Sequence, residues 1–128
     1  MTVLAKLGSV TYVLWGLLHI EAARRVYTLG QSIDPGMIQG RIYQDAWSLL
    51  FFAIFGIVVA VCLNWRNSYL GYWLNLVVVS AADLGYIFFV LVPGYVPLLP
   101  GGLGPLLWVL ALIFSTLAIV KDQQENKG

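Results

Sequence analysis

Four separate stretches of this 128-residue chain stay apolar for long enough to cross a bilayer. A membrane-spanning helix needs about 20 mostly apolar residues, at a rise of ~1.5 Å each across ~30 Å of hydrocarbon. The stretches cover approximately residues 3–29, 37–63, 69–92 and 103–120. They are too long for strands. An open sheet in lipid would also leave its edge N–H and C=O groups unpaired, whereas a helix satisfies them internally. The expected fold is therefore all-α: a polytopic membrane protein forming one four-helix transmembrane bundle over residues 1–128. Lys6 before an apolar run suggests a secretory leader, but Glu21 stands where a cleavage site needs a small side chain. The first stretch is read as a helix of the mature protein.

Composition excludes several functions. Only 10% of residues are charged and 60% are hydrophobic, against about 25% charged in a soluble domain. The formal net charge of +1 carries no basic field, so nucleic acid is not an expected partner. A single cysteine, Cys62, leaves no internal disulfide and no multi-cysteine metal site. No phosphate-binding loop, zinc signature, nucleophile elbow or lipidation motif occurs. No metal and no cofactor is expected.

An even number of spans places both termini on one side, called here the terminal side. Lys6, Arg66, Lys121 and Lys127 belong there, against Arg24, Arg25 and Arg41 on the far side. The positive-inside rule then points to cytoplasmic termini. Asp34 and Pro35 suit the start of the second helix. The polar residues 121–128 read as a solvated tail.

Polar residues within the spans are costly, at ~2.5–3.5 kcal/mol per charge near the helix centre, so each demands a reason. In the second helix Arg41, Gln44, Asp45 and Ser48 occupy one face by i, i+3, i+4, i+7 spacing. Leu50, Phe51, Ile54 and Ile57 are left for lipid. In the third, Tyr72, Asn75, Val79, Asp83 and Tyr86 make a similar stripe, and in the first Gly8, Tyr12, Trp15 and His19 do so. Glu21 lies elsewhere, beside Arg24 and Arg25 at i+3 and i+4. Counting ~1.5 Å per residue, Asp83 is roughly 21 Å in from Tyr69 and His19 roughly 18 Å in from Leu7. Asp45 is about 6 Å inside Arg41 on the same count. Three helices thus direct polar groups to the far-side half, which predicts a polar pocket there, while the terminal-side half holds only Asn75 of comparable polarity. Ala81 and Gly85, at i and i+4, permit a close helix approach, within the bundle or in an oligomer.

Intramembrane acids are functional candidates by default. Asp83, Asp45 and His19 are the candidate catalytic residues, with two carboxyls in different surroundings able to divide acid and base roles. Arg41, Tyr43, Gln44, Asn75, Trp15 and Tyr86 are candidates for binding the substrate. This set suits a cofactor-free acid–base enzyme, of isomerase, cyclase or epoxide-opening type, acting on a lipophilic small molecule. Two alternatives share the same residues. One is a structural or assembly subunit whose polar cluster only locks the helices. The other is a small proton-coupled transporter with Asp83 as its coupling acid. Membrane lipid and the lipophilic molecule are the expected partners, with self-association or a larger membrane complex as the assembly alternatives.

Overall fold

In the computed structural model, which describes residues 2–128, the chain folds into four long helices: α1 (Thr2–Gln31), α2 (Met37–Cys62), α3 (Tyr69–Tyr86) and α4 (Leu103–Lys127). All four are long and apolar enough to span a membrane, which makes this a multi-pass membrane protein built as an all-α bundle. Gly8 of α1 packs on Ser115 of α4, and His19 packs on Gly104. The two helices therefore run antiparallel, and both termini lie at one end.

Local chemistry sets the helix ends. Gly36, not Asp34, precedes the first turn of α2, and no side chain caps it. Gln39 instead reaches across the turn and donates to the carbonyls of Gly30 and Ile33, at 3.0 and 2.9 Å. That covers acceptors freed at the end of α1. Ser68 caps α3 by accepting from the Gly71 N–H at 3.4 Å. At its other end α3 widens over Ile87–Leu91, where Val92 N–H bonds Ile87 O at 2.8 Å. The polar residues after Val120 continue α4 through Lys127 as helix, with the mostly exposed side chains of a solvated tail.

The centre of the bundle is built from Tyr12, Trp15, Ala60, Val79 and Ala111, one or two from each helix. Lipid offers no hydrophobic drive between helices, so close packing depends on small residues. α1 and α2 approach closely at Gly16, where a Cβ would stand 2.9 Å from the Ala53 carbonyl oxygen. The inward line of α2 is likewise small: Ala46, Ala53, Gly56, Val59 and Ala60. Gly85 has open space around it, so it marks no close approach within the bundle.

The outward face of α1 is apolar through Val10, Leu14, Leu17 and Ile20 and then becomes charged at Glu21, Arg24 and Arg25. Arg24 and Arg25 both bind Glu21, at 2.7 and 3.1 Å, as the spacing predicts. Beyond this level α1 runs another ten residues, about 15 Å. It is paired there with the start of α2 through Gly30 on Ile42 and Tyr43, and through Tyr27 stacked on Tyr43 at 4.9 Å. The first two helices thus form a hairpin that extends past the start of α4 on the far side.

Candidate functional site

Asp83 and Trp15 are both fully buried, at 0% exposure. They come from α3 and α1, which face each other across the core. The Trp15 indole N–H donates to both carboxylate oxygens of Asp83, at 3.1 Å each. Trp15 belongs inside because its ring fills the centre, and its single donor requires a buried acceptor. One turn further along α1, His19 is 8% exposed and lies flat on the Trp15 ring at 3.9 Å between centroids.

The histidine has defined neighbours on both nitrogens. Nδ1 lies 2.8 Å from the Trp15 carbonyl oxygen. A carbonyl only accepts, so Nδ1 must carry a proton. The other nitrogen, Nε2, stands 3.4 Å from Asp83 Oδ1. In neutral histidine with a proton on Nδ1, Nε2 presents a lone pair, and an ionised carboxylate would meet it with another. The contact is attractive when one proton is held by the pair, either on Oδ1 or on Nε2. With that proton the pair is neutral overall, as a water-poor interior favours. The backbone of α1 thereby fixes the tautomer that turns the proton-exchanging nitrogen towards the acid.

The other candidates are distributed as follows. Tyr86 lies on α3 one turn past Asp83, and its hydroxyl donates to the Gly101 carbonyl at 2.7 Å. Asn75 is also fully buried, but about 12 Å along α3 from Asp83. It donates to Gly56 O at 3.2 Å and to Asn64 Oδ1 at 2.9 Å, so it ties α3 to α2 rather than lining the Asp83 site.

The α2 candidates do not join Asp83. Arg41 is exposed and donates to Gln44 of its own helix at 2.9 Å. Gln44 and Asp45 are exposed, and Asp45 makes no ion pair among the described residues. Tyr43 is half-buried against Tyr27 and Gly30 in the hairpin. The reason is geometric. Ala46 faces inward, and Asp45, one residue earlier, is turned about 100° away from it. The small-residue line takes the packing face, while the polar stripe lies on the hairpin, where leaving it unburied costs little.

The α2 side chains expected to line a pocket do not reach Asp83. The Trp15 ring fills the space beside Asp83, and the inward stripe of α2 needed to line a pocket is absent. Two shallow hollows of about 340 and 320 Å³ lie elsewhere. The first is lined by Ser9, Val10, Val13, Leu14, Val61 and Trp65, and the second by Leu112, Ile113, Thr116 and Leu117. The terminal-side interior holds further polar groups besides Asn75. Ser9 donates to Ala60 O at 2.8 Å, Tyr72 and Thr116 share a bond at 3.1 Å, and Asn64 and Ser115 are buried. The Tyr12 hydroxyl is buried there without a partner among the described residues.

Sequence reasoning missed Gly104, which borders His19 so closely that a Cβ would lie 3.1 Å from its Cε1. The available signal was the Gly-Gly-Leu-Gly run opening the fourth apolar stretch. Among the described residues no three His, Cys, Asp or Glu side chains are grouped to hold a metal ion. What the arrangement can do chemically is hold one proton and exchange it away from bulk water. No protein-family model, curated protein or solved structure matches this chain.

Proposed function

We propose that this protein is a cofactor-free acid–base enzyme of the membrane, acting on a lipophilic small molecule through the Asp83–His19 pair. One observation carries the reading: His19 is fixed by the Trp15 carbonyl at 2.8 Å, with its other nitrogen 3.4 Å from a fully buried carboxyl. Such a pair accepts a proton at one atom as it releases one at the other, which suits isomerisation, cyclisation or epoxide opening. Asp45 takes no part, so the division of acid and base roles falls to a carboxyl and an imidazole. With the termini in the cytoplasm, as Lys6, Arg66, Lys121 and Lys127 favour, the pair lies towards the opposite leaflet.

The test is a comparison of membranes containing wild type, Asp83→Asn or His19→Gln at matched levels. Lipophilic extracts are separated by chromatography and identified by mass spectrometry. The expected result is loss of one product and accumulation of its precursor in both variants. Unchanged extracts in both, with each variant folded as judged by its thermal transition in detergent, would overturn the proposal.

A second reading is favoured by the two bonds from Trp15 to Asp83 at 3.1 Å. They fix the register of α1 on α3, as an assembly subunit would require. On that reading Asp83→Asn leaves the extracts unchanged but releases a bound partner protein from the detergent-purified complex.

A further inference from the structure

On its far side the pair is bordered by a short stretch of chain. α4 begins at Leu103, and Gly104 already touches the His19 ring. The fourth helix therefore ends at the level of the pair, while α1 continues twelve residues past His19, about 18 Å. Gly101 is held on Tyr86, one turn past Asp83, and Gly104 lies against His19, so the segment from Val92 to Gly102 runs past the far side of the pair. Most of its hydrogen bonds are local, such as Gly101 N–H to Pro97 O at 3.0 Å and Gly102 N–H to Leu98 O at 2.6 Å. One side-chain bond ties it to the body of α3: Tyr86 hydroxyl to Gly101 carbonyl, 2.7 Å. Glycine is needed at 101, because a Cβ would meet Val96 at 2.8 Å and the Tyr86 hydroxyl oxygen at 3.3 Å.

The surface here is apolar. Phe89, Val92, Tyr95, Leu98 and Leu99 are each more than 70% exposed, and no charged residue occurs between Asp83 and Lys121. The far-side charges Glu21, Arg24, Arg25, Arg41 and Asp45 all belong to the α1–α2 hairpin. An uncharged surface of this kind is favoured against lipid and disfavoured against water. The end of α3 beneath it is the widened turn, where Tyr95 N–H reaches back five residues to Val90 O at 3.2 Å.

We infer that the Val92–Gly102 segment is a gate facing the bilayer, latched by Tyr86 on Gly101, and that its release admits substrate to Asp83 and His19 sideways from lipid. This rests on the reading of Asp83 as the acid–base group. It also narrows the substrate to an uncharged molecule with an apolar body and one proton-exchanging polar group. The passage is apolar, and among the described residues no Arg or Lys pairs with Asp83 to serve a charged substrate as counter-ion.

The gate is tested with carbodiimides on protein in lipid nanodiscs. A protonated carboxyl adds across the carbodiimide: its oxygen bonds the central carbon, its proton moves to nitrogen, and the adduct rearranges to a stable N-acylurea with nothing lost. Dicyclohexylcarbodiimide partitions into lipid, whereas a quaternary-ammonium carbodiimide stays in water. Peptide mass spectrometry reports modification at Asp83, with Asp45 as the exposed control. Tyr86→Phe removes the latch and keeps the ring. It should raise the rate at Asp83 with the lipid-soluble reagent roughly three- to tenfold, as expected from loss of one hydrogen bond. The rate at Asp45 should not change. Gly101→Ala, which pushes Tyr86 and Val96 apart, should act in the same direction. Equal Asp83 rates in wild type and both variants would overturn the gate, as would Asp83 reacting equally fast with the water-soluble reagent. Either result leaves the acid–base reading standing, and unchanged lipid extracts in Asp83→Asn would remove that reading while leaving the gate.

Discussion

Two polar stripes look alike in the sequence and end in opposite surroundings. Trp15 and His19 on α1, with Asp83 on α3, close on each other at the centre of the bundle. Arg41, Gln44 and Asp45 on α2 have the same helical spacing, yet all three are exposed. The difference lies in which residues share each helix. On α1 the stripe coincides with the face carrying Gly8 and Gly16, positions where neighbouring helices come close. On α2 the small residues Ala46, Ala53 and Ala60 form a separate line, and that line takes the interior. Where helices pack in lipid, small side chains select the contact face. Polar side chains are buried when they lie on that face and find partners.

The sharpest way to test this contrast is Trp15→Ala. It empties the centre of the core and leaves Asp83 without its donor. Truncating a buried aromatic costs about 3–5 kcal/mol, and a stranded acceptor adds roughly 1–3 kcal/mol. A large fall in the thermal transition in detergent is expected, approaching loss of fold. Stability close to wild type would mean that Trp15 and Asp83 do not hold α1 on α3.

Gly16→Val examines the other half of the argument, that small residues choose the interior face. Its Cβ would press on the Ala53 carbonyl, 2.9 Å away, which is backbone and cannot turn aside. Overpacking of this kind costs about 1–3 kcal/mol. The same substitution at Gly85, which meets nothing, should cost less than half as much in the same unfolding assay. Equal losses at the two glycines would break the comparison.

The smallest effect belongs to the exposed stripe. Asp45→Asn and Arg41→Gln each remove a charge that makes no ion pair among the described residues. Surface changes of this type stay within about 0.5 kcal/mol. A loss several times larger in either variant would show that the α2 stripe is covered in the membrane.

These residues also show how far the sequence alone reached. Its long apolar runs specified an all-helical membrane bundle, because hydrocarbon leaves the backbone few other ways to satisfy its hydrogen bonds. The 3.6-residue period put Trp15 and His19 on one face of α1, and Asn75, Val79 and Asp83 on one face of α3. Both groups are internal. Depth counted along single helices brought Asp83 and His19 to similar levels. Periodicity did not say which of two competing faces of α2 turns inward, so Arg41 and Asp45 were drawn into a pocket they do not line. Nor did it show that α4 ends beside His19, which leaves Gly101 held on Tyr86 next to the site.

What the sequence determined by itself follows from the solvent: a chain this apolar must form helices in lipid, and its few buried charges must find partners. Tertiary structure decided which partners. The Trp15–Asp83 and His19–Asp83 contacts join residues more than sixty positions apart in the chain. They depend on the rotation of each helix about its own axis. That rotation is set by how closely glycine and alanine let neighbouring backbones approach, a quantity defined only between helices and not along any one of them.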